Sequence, residues 1–115
     1  MELKRKFNVI FAKEAREFIL SLPLSARKKI AYNIDKVSFG EIDNTLFKKL
    51  ENTDIWEFRT LYNSKAYRLL SFWDTENDTF VVATNGFIKK TQKTPKKEIA
   101  KAEEIRKRYF NKKQR

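Results

Sequence analysis

From Glu57 onward, one acid and five cations are placed for chemistry on an anion. In IWEFRTL (55–61) apolar and polar side chains alternate, which puts Glu57 and Arg59 on one face of a strand and Trp56 and Phe58 on the other. With the aromatic face packed inward, Glu57 and Arg59 are expected to point outward together. In AYRLLSFW (66–73) Arg68 interrupts an otherwise apolar strand directly after Tyr67. Lys89 and Lys90 follow the last strand-like run, with Lys93 shortly after. Strand ends of a meander lie close in space, so Arg59, Arg68 and Lys89 are expected to converge on one open sheet face. Each also has a plain structural reading. Glu57 with Arg59 suits a surface charge pair, which contributes little to stability. Arg68 suits a bridge to a carboxylate such as Asp74 or Asp78. Lys89 and Lys90 suit a solvated loop, and Lys48 with Lys49 an exposed pair.

The composition narrows the chemistry. There is no His and no Cys among the 115 residues, which excludes His-based nucleophilic triads, thiolate chemistry, disulfides and most zinc sites. The net charge is +11. Residues 86–115 hold twelve Lys or Arg against three Glu, a net +9, whereas residues 1–85 carry only +2. A field so concentrated attracts polyanions and releases their counterions, which favours nucleic acid; an acidic protein satisfies the same field. No apolar run approaches the ~20 residues that span a bilayer, and MELKRKFNVIF is broken too soon by Lys13 and Glu14 to act as a secretory signal. The expectation is a cytoplasmic protein without membrane contact.

The elements that must position these residues follow from periodicity. FNVIF (7–11) reads as a strand. Residues 12–22 read as a helix with Phe11, Ala15, Phe18, Ile19 and Leu22 on one face, stopped by Pro23. A second helix is expected from Ser25, as N-cap, to Phe39, with Ala26, Ile30, Ile34 and Val37 inward and Gly40 as the stop. Residues 55–61, 66–73 and 79–87 then read as three antiparallel strands, separated by YNSK and DTEND. Thr94 and Pro95 open a last helix with Ile99, Ala102, Ile105 and Tyr109 as its stripe, and a frayed basic tail is expected over about 110–115. The whole, residues 1–115, reads as one α+β domain of order β-α-α-β-β-β-α. Its helices are expected on one face of a mainly antiparallel sheet.

At this point specific strings matter: FKKLENTDIWEFR (47–59), AYRLLSFW (66–73), and above all NGFIKKTQKTPKKEIAKAEEIRKRY (85–109), with LP at 22–23 between the first helices. Together they resemble the RelE/HigB toxins of type II toxin–antitoxin systems, in particular their phage-derived branch, over most of the chain. The resemblance implies a RelE-like fold and a ribosome-dependent, metal-independent mRNA endoribonuclease without a cofactor. It implies a cognate antitoxin of helix-turn-helix type, with ribosome and mRNA as further partners and DNA reached only through the antitoxin complex. In such toxins an RNA 2′-hydroxyl attacks the adjacent phosphate, and Lys, Arg and Tyr can serve where a His pair is absent. The same fold without the chemistry would be a non-catalytic basic RNA-, ribosome-binding or regulatory module.

The resemblance also distributes roles. Arg68 matches the arginine of the family's Tyr-Arg strand and, with Lys89, is assigned to the phosphate. Arg59 and Lys90 place the RNA backbone, and Glu57 is the candidate base. Lys48, Lys49 and Lys93 are assigned to RNA binding, and Phe87 and Trp73 to base stacking. Some relatives carry a catalytic Tyr or His near the C-terminus; here that stretch is a long helix with Tyr109 in its stripe.

Overall fold

Three strands between residues 56 and 89 build most of the sheet, and the computed structural model, which describes residues 4–76 and 80–113, shows how it is covered. The order is β1 (Asn8–Phe11), α1 (Lys13–Leu20), α2 (Leu24–Ser38), β2 (Phe47–Lys49), β3 (Trp56–Tyr62), β4 (Lys65–Asp74), β5 (Phe80–Lys89) and α3 (Lys96–Lys113). The five strands run β1-β5-β4-β3-β2 across the sheet, with β1 parallel to β5 and every other pair antiparallel. The expected α+β order stands, with one short strand added. FKK at 47–49 pairs with β3 through Phe47↔Phe58, which three residues of sequence are too few to announce.

The helices do not share one face of the sheet. Helices α1 and α2, with Leu22 between them, pack Ala15, Ala26, Ile30, Ile34 and Val37 against Phe58, Tyr67, Leu69 and Val81. On the opposite face α3 lays Ala102, with Tyr109 and Phe110, on Ile55, Leu70, Phe72, Val82 and Phe87. The reason is in the strands: β4 and β5 are apolar on both sides, so one helical layer leaves half of that surface in water. Phe7, Phe47, Trp56 and Trp73 form an aromatic cluster in the first core, with ring centroids 4.8 Å apart for Phe47–Trp56 and 4.9 Å for Phe7–Trp73.

The C-terminus of α2 ends as expected: Gly40 takes φ +112°, and Gly40 N–H and Glu41 N–H donate to the carbonyls of Val37 and Lys36. Pro23, not Ser25, occupies the N-cap of α2, and its carbonyl accepts from Arg27 N–H. Pro95 likewise supplies the first carbonyl of α3, bonded to Glu98 N–H and Ile99 N–H, so Thr94 lies just ahead of the helix. The chain over 110–113 is not a frayed tail: α3 continues to Lys113, and Phe110 packs on Phe72 at 5.5 Å. Asp78 lies outside the described residues.

Two features of the meander set its register. The β3–β4 hairpin turns on Asn63 and Ser64, both with positive φ, directly between the paired residues Tyr62 and Lys65. Farther along, Leu69 pairs with Gly86 but Ser71 with Ala83, so β5 carries one extra residue there. The Thr84 hydroxyl donates to the Leu70 carbonyl, and the Asn85 amide donates to the carbonyl and carboxylate of Glu98. The bulge thereby ties the sheet to the first turn of α3.

Candidate functional site

Residues opposite each other across paired strands project to the same side of a sheet, and this rule assembles the site. Arg59 on β3 pairs with Arg68 on β4, and Arg68 pairs with Phe87 on β5. The next row outward is Leu61, Ala66 and Lys89. The next row inward is Lys48, Glu57 and Leu70. All lie on the α3 face, beyond the point where α3 begins. Arg59, Arg68, Lys89 and Lys48 are therefore brought together on one face, with Glu57 at the centre.

Glu57 differs from the outward carboxylate expected on a polar strand face. It is only 3% exposed, because the segment leading into α3 covers it. Its Oε2 accepts a 2.6 Å hydrogen bond from the Thr94 hydroxyl. Its Oε1 lies 3.3 Å from Arg68 Nε and 3.6 Å from Arg59 Nε. Arg68 Nε–H is not aimed well enough at that oxygen to make a hydrogen bond, and Arg59 Nε lies too far from it. The two guanidiniums are anchored elsewhere: Arg68 Nη1 donates to the Tyr67 carbonyl at 3.1 Å and Arg59 Nη1 to the Asn44 carbonyl at 3.0 Å. The bridge read for Arg68 thus runs to Glu57. Asp74 is instead engaged by the Tyr109 hydroxyl (2.6 Å) and Lys113 (2.7 Å).

The electrostatics follow from crowding. Arg68, 8% exposed, is held below the ordinary arginine range by burial and by the neighbouring Arg59, against the pull of Glu57. The Lys89 ammonium is lowered first by burial and then by Arg68, with smaller contributions from Arg59 and Lys48 opposing the help of Glu57. The arrangement is a cationic face with one internal counter-charge, which suits an anion carrying more than one charge.

The other expected residues separate. Lys48 is exposed on the site side, whereas Lys49, opposite Trp56, projects to the α1–α2 side. Lys90 and Lys93 are exposed in the loop that follows β5. Phe87 belongs to the core under α3, and Trp73 to the aromatic cluster on the opposite face, so neither ring stands free as a stacking platform. Thr94 escaped the sequence reading, because a Thr before Pro reads as a helix cap. Among the described residues no three acidic side chains gather as a metal site would require, and no helix is long and apolar enough to cross a membrane.

Comparison with known proteins bears on this geometry. No curated protein matches the chain. Among solved structures, an arginine-to-alanine double mutant of the E. coli toxin RelE in its free state superposes with a TM-score of 0.55 at 17% identity, covering 70% of this chain and 81% of that one. RelBE from E. coli, an intact toxin–antitoxin complex, gives 0.54 at 17% identity over 74% and 99% of the two chains. The toxin–antitoxin complex RelBE2 from Mycobacterium tuberculosis gives 0.51 at 22% identity over 73% and 99%. The fold is therefore RelE-like. The family of phage-derived Gp49-like proteins matches residues 17–107, which include every site strand and most of α3, and the chain belongs to that family.

Proposed function

We propose that this protein is the toxin of a RelE-type toxin–antitoxin pair and that it cleaves mRNA on the ribosome. The observation that carries the reading is the meeting of Arg59, Arg68, Lys89 and Lys48 on one open sheet face around a single buried carboxylate. RNA cleavage by its own 2′-hydroxyl needs little else from a protein than held cations. The 2′-hydroxyl gives its proton to water as its oxygen bonds to phosphorus, the bond to the 5′-oxygen breaks, that oxygen takes up a proton, and a 2′,3′-cyclic phosphate and a 5′-hydroxyl result. Negative charge builds on the phosphorane between these events, and preorganised donors stabilise it there.

Arg68 presents its fork to the phosphate, and Arg59 holds the backbone beside it. Lys89 contacts the same phosphate as a cation. Its proton, held less tightly than in a free lysine, is the one given to the departing 5′-oxygen. Glu57 orients the two arginines: both of its oxygens are already engaged, which does not suit a group that must collect a proton from RNA. Lys48, Lys90 and Lys93 attract and guide the message, and Lys49 supplies charge on the far side of the sheet. The partner is an antitoxin, as in the RelBE complexes of the structural relatives, here of helix-turn-helix type.

The deciding experiment is primer extension on a translated message after induction. New 5′ ends that vanish when translation is blocked, and vanish in the folded fraction of Arg68→Ala, support the reading. A protein that binds ribosomes and leaves every message intact is the non-catalytic basic module instead.

A further inference from the structure

We infer that Thr94 is a positioning residue for this site, acting through Glu57 on Arg68 and Arg59; the inference rests on the function proposed above. Thr94 sits where the basic loop after β5 meets α3. Its hydroxyl does not cap the helix, whose first hydrogen bonds run to the Pro95 carbonyl. It donates to Glu57 Oε2 at 2.6 Å, the shortest contact that carboxylate makes. The loop is braced for this, with the Thr91 hydroxyl donating to the Lys93 carbonyl at 3.0 Å.

The consequence lies in the other oxygen. With Oε2 tied to Thr94, both arginines approach Oε1, at 3.3 and 3.6 Å, and neither Nε–H makes a hydrogen bond to it. A carboxylate free to rotate would offer Arg68 the two parallel bonds that a guanidinium prefers. That pairing would occupy the fork needed for phosphate. Thr94 prevents it by fixing the carboxylate plane, so the guanidiniums stay near a counter-charge without being consumed by it. Glu57 offsets some of the repulsion between them, and Thr94 limits how far it goes.

The test uses Thr94→Val, which removes the donor at nearly constant volume, and Thr94→Ser, which keeps it. Thr94→Ala replaces the valine variant if that one does not fold. The first readout is the pair of Nε–Hε signals of Arg59 and Arg68 in ¹H–¹⁵N spectra. The second is single-turnover cleavage of a message on saturating ribosomes. Loss of the hydroxyl should shift both arginine signals and slow cleavage about tenfold, as expected for one lost hydrogen bond to a charged group, with ribosome affinity unchanged. Serine should restore both readouts. Arginine signals that stay in place in the valine or alanine variant overturn the inference, whatever the melting temperature does. If the native protein cuts nothing, the proposed function fails, while the arginine signals still decide the role of Thr94.

Discussion

Arg59 and Arg68 stand directly opposite each other on β3 and β4, and both approach the same oxygen of Glu57. Two like charges in register across a strand pair repel, and a folded protein without use for them would place one elsewhere. Here the acid that relieves them is buried beneath Thr94. The cost of burying the Glu57 and Arg68 charges, with Arg59 partly exposed beside them, is offset only partly by their pairing. Such a cluster is what preorganised anion binding requires and what stability alone disfavours.

Arg68→Ala should lower both activity and stability, because it leaves Glu57 buried with a weaker partner. A loss of about 3–5 kcal/mol is expected for breaking a buried pair from one side. Arg68→Lys should regain most of the stability, since an ammonium still faces Glu57, but little cleavage, since it lacks the planar fork. Thermal unfolding and cleavage measured on the same preparations check this split. A lysine variant that cuts at the native rate would reduce Arg68 to a structural bridge.

Lys89 should titrate below an ordinary lysine, because burial and the Arg68 charge both disfavour its proton. Arg68→Ala should move it up, and Glu57→Gln should move it further down. A lysine with a lowered folded pKa binds its proton more weakly than the unfolded chain does. Its contribution to stability therefore rises with pH between the folded and unfolded values. NMR titration of the Nζ resonance measures both shifts; an Arg68→Ala variant with an unmoved Lys89 would break the proposed coupling.

Asp74 fastens the C-terminal end of α3. Burial raises its pKa, but Lys113 and the Tyr109 hydroxyl outweigh that and hold it below the usual aspartate range. Tyr109 is pushed up to about 12 by burial and by Asp74. The stability supplied by the carboxylate is fully present above the unfolded aspartate pKa and is lost as pH falls through the folded one. Tyr109→Phe should cost about 1–2 kcal/mol near neutrality and leave a smaller acid-side loss. Urea unfolding across pH 2–7 (a range spanning ordinary carboxylate titration) follows this, and identical profiles for native and Tyr109→Phe protein would refute it.

Gly86 lies where Phe18 of α1 crosses β5, and a Cβ there would stand 2.2 Å from the Phe18 ring. Gly86→Ala should destabilise by about 1–3 kcal/mol through overpacking. Adding Phe18→Leu should recover part of that loss, which a double-mutant cycle measures. Strictly additive effects would place the strain elsewhere.

Charge reversal at Lys89 and Lys90 should weaken ribosome binding and flatten its dependence on salt, because each lost phosphate contact removes released counterions. Sedimentation of ribosome-bound protein over a salt series reads the slope. An unchanged slope would move the electrostatic footprint away from the end of β5.

The strand and helix periods are written locally, so the sequence alone determined the order of every element but the short β2, the faces of β3, the stripes of α1, α2 and α3, and the cationic character of the second half. It also placed Arg59, Arg68 and Lys89 near one another, since a meander with short turns leaves few alternatives. Tertiary structure decided the rest. Val82 and Phe87 are five residues apart, an odd spacing that a regular strand would send to opposite faces, yet both lie under α3. The bulge at Thr84 and Asn85 absorbs the extra residue and carries Lys89 to the Arg68 side. Nothing in TFVVATNGF marks that position, because a bulge is fixed by partners on β4 and α3. The burial of Glu57 is of the same kind. Alternation on β3 makes it polar and outward, and only the arrival of Thr94, thirty-seven residues later, closes water away from it. A residue's face is a property of its own strand; what covers that face depends on contacts distant in sequence.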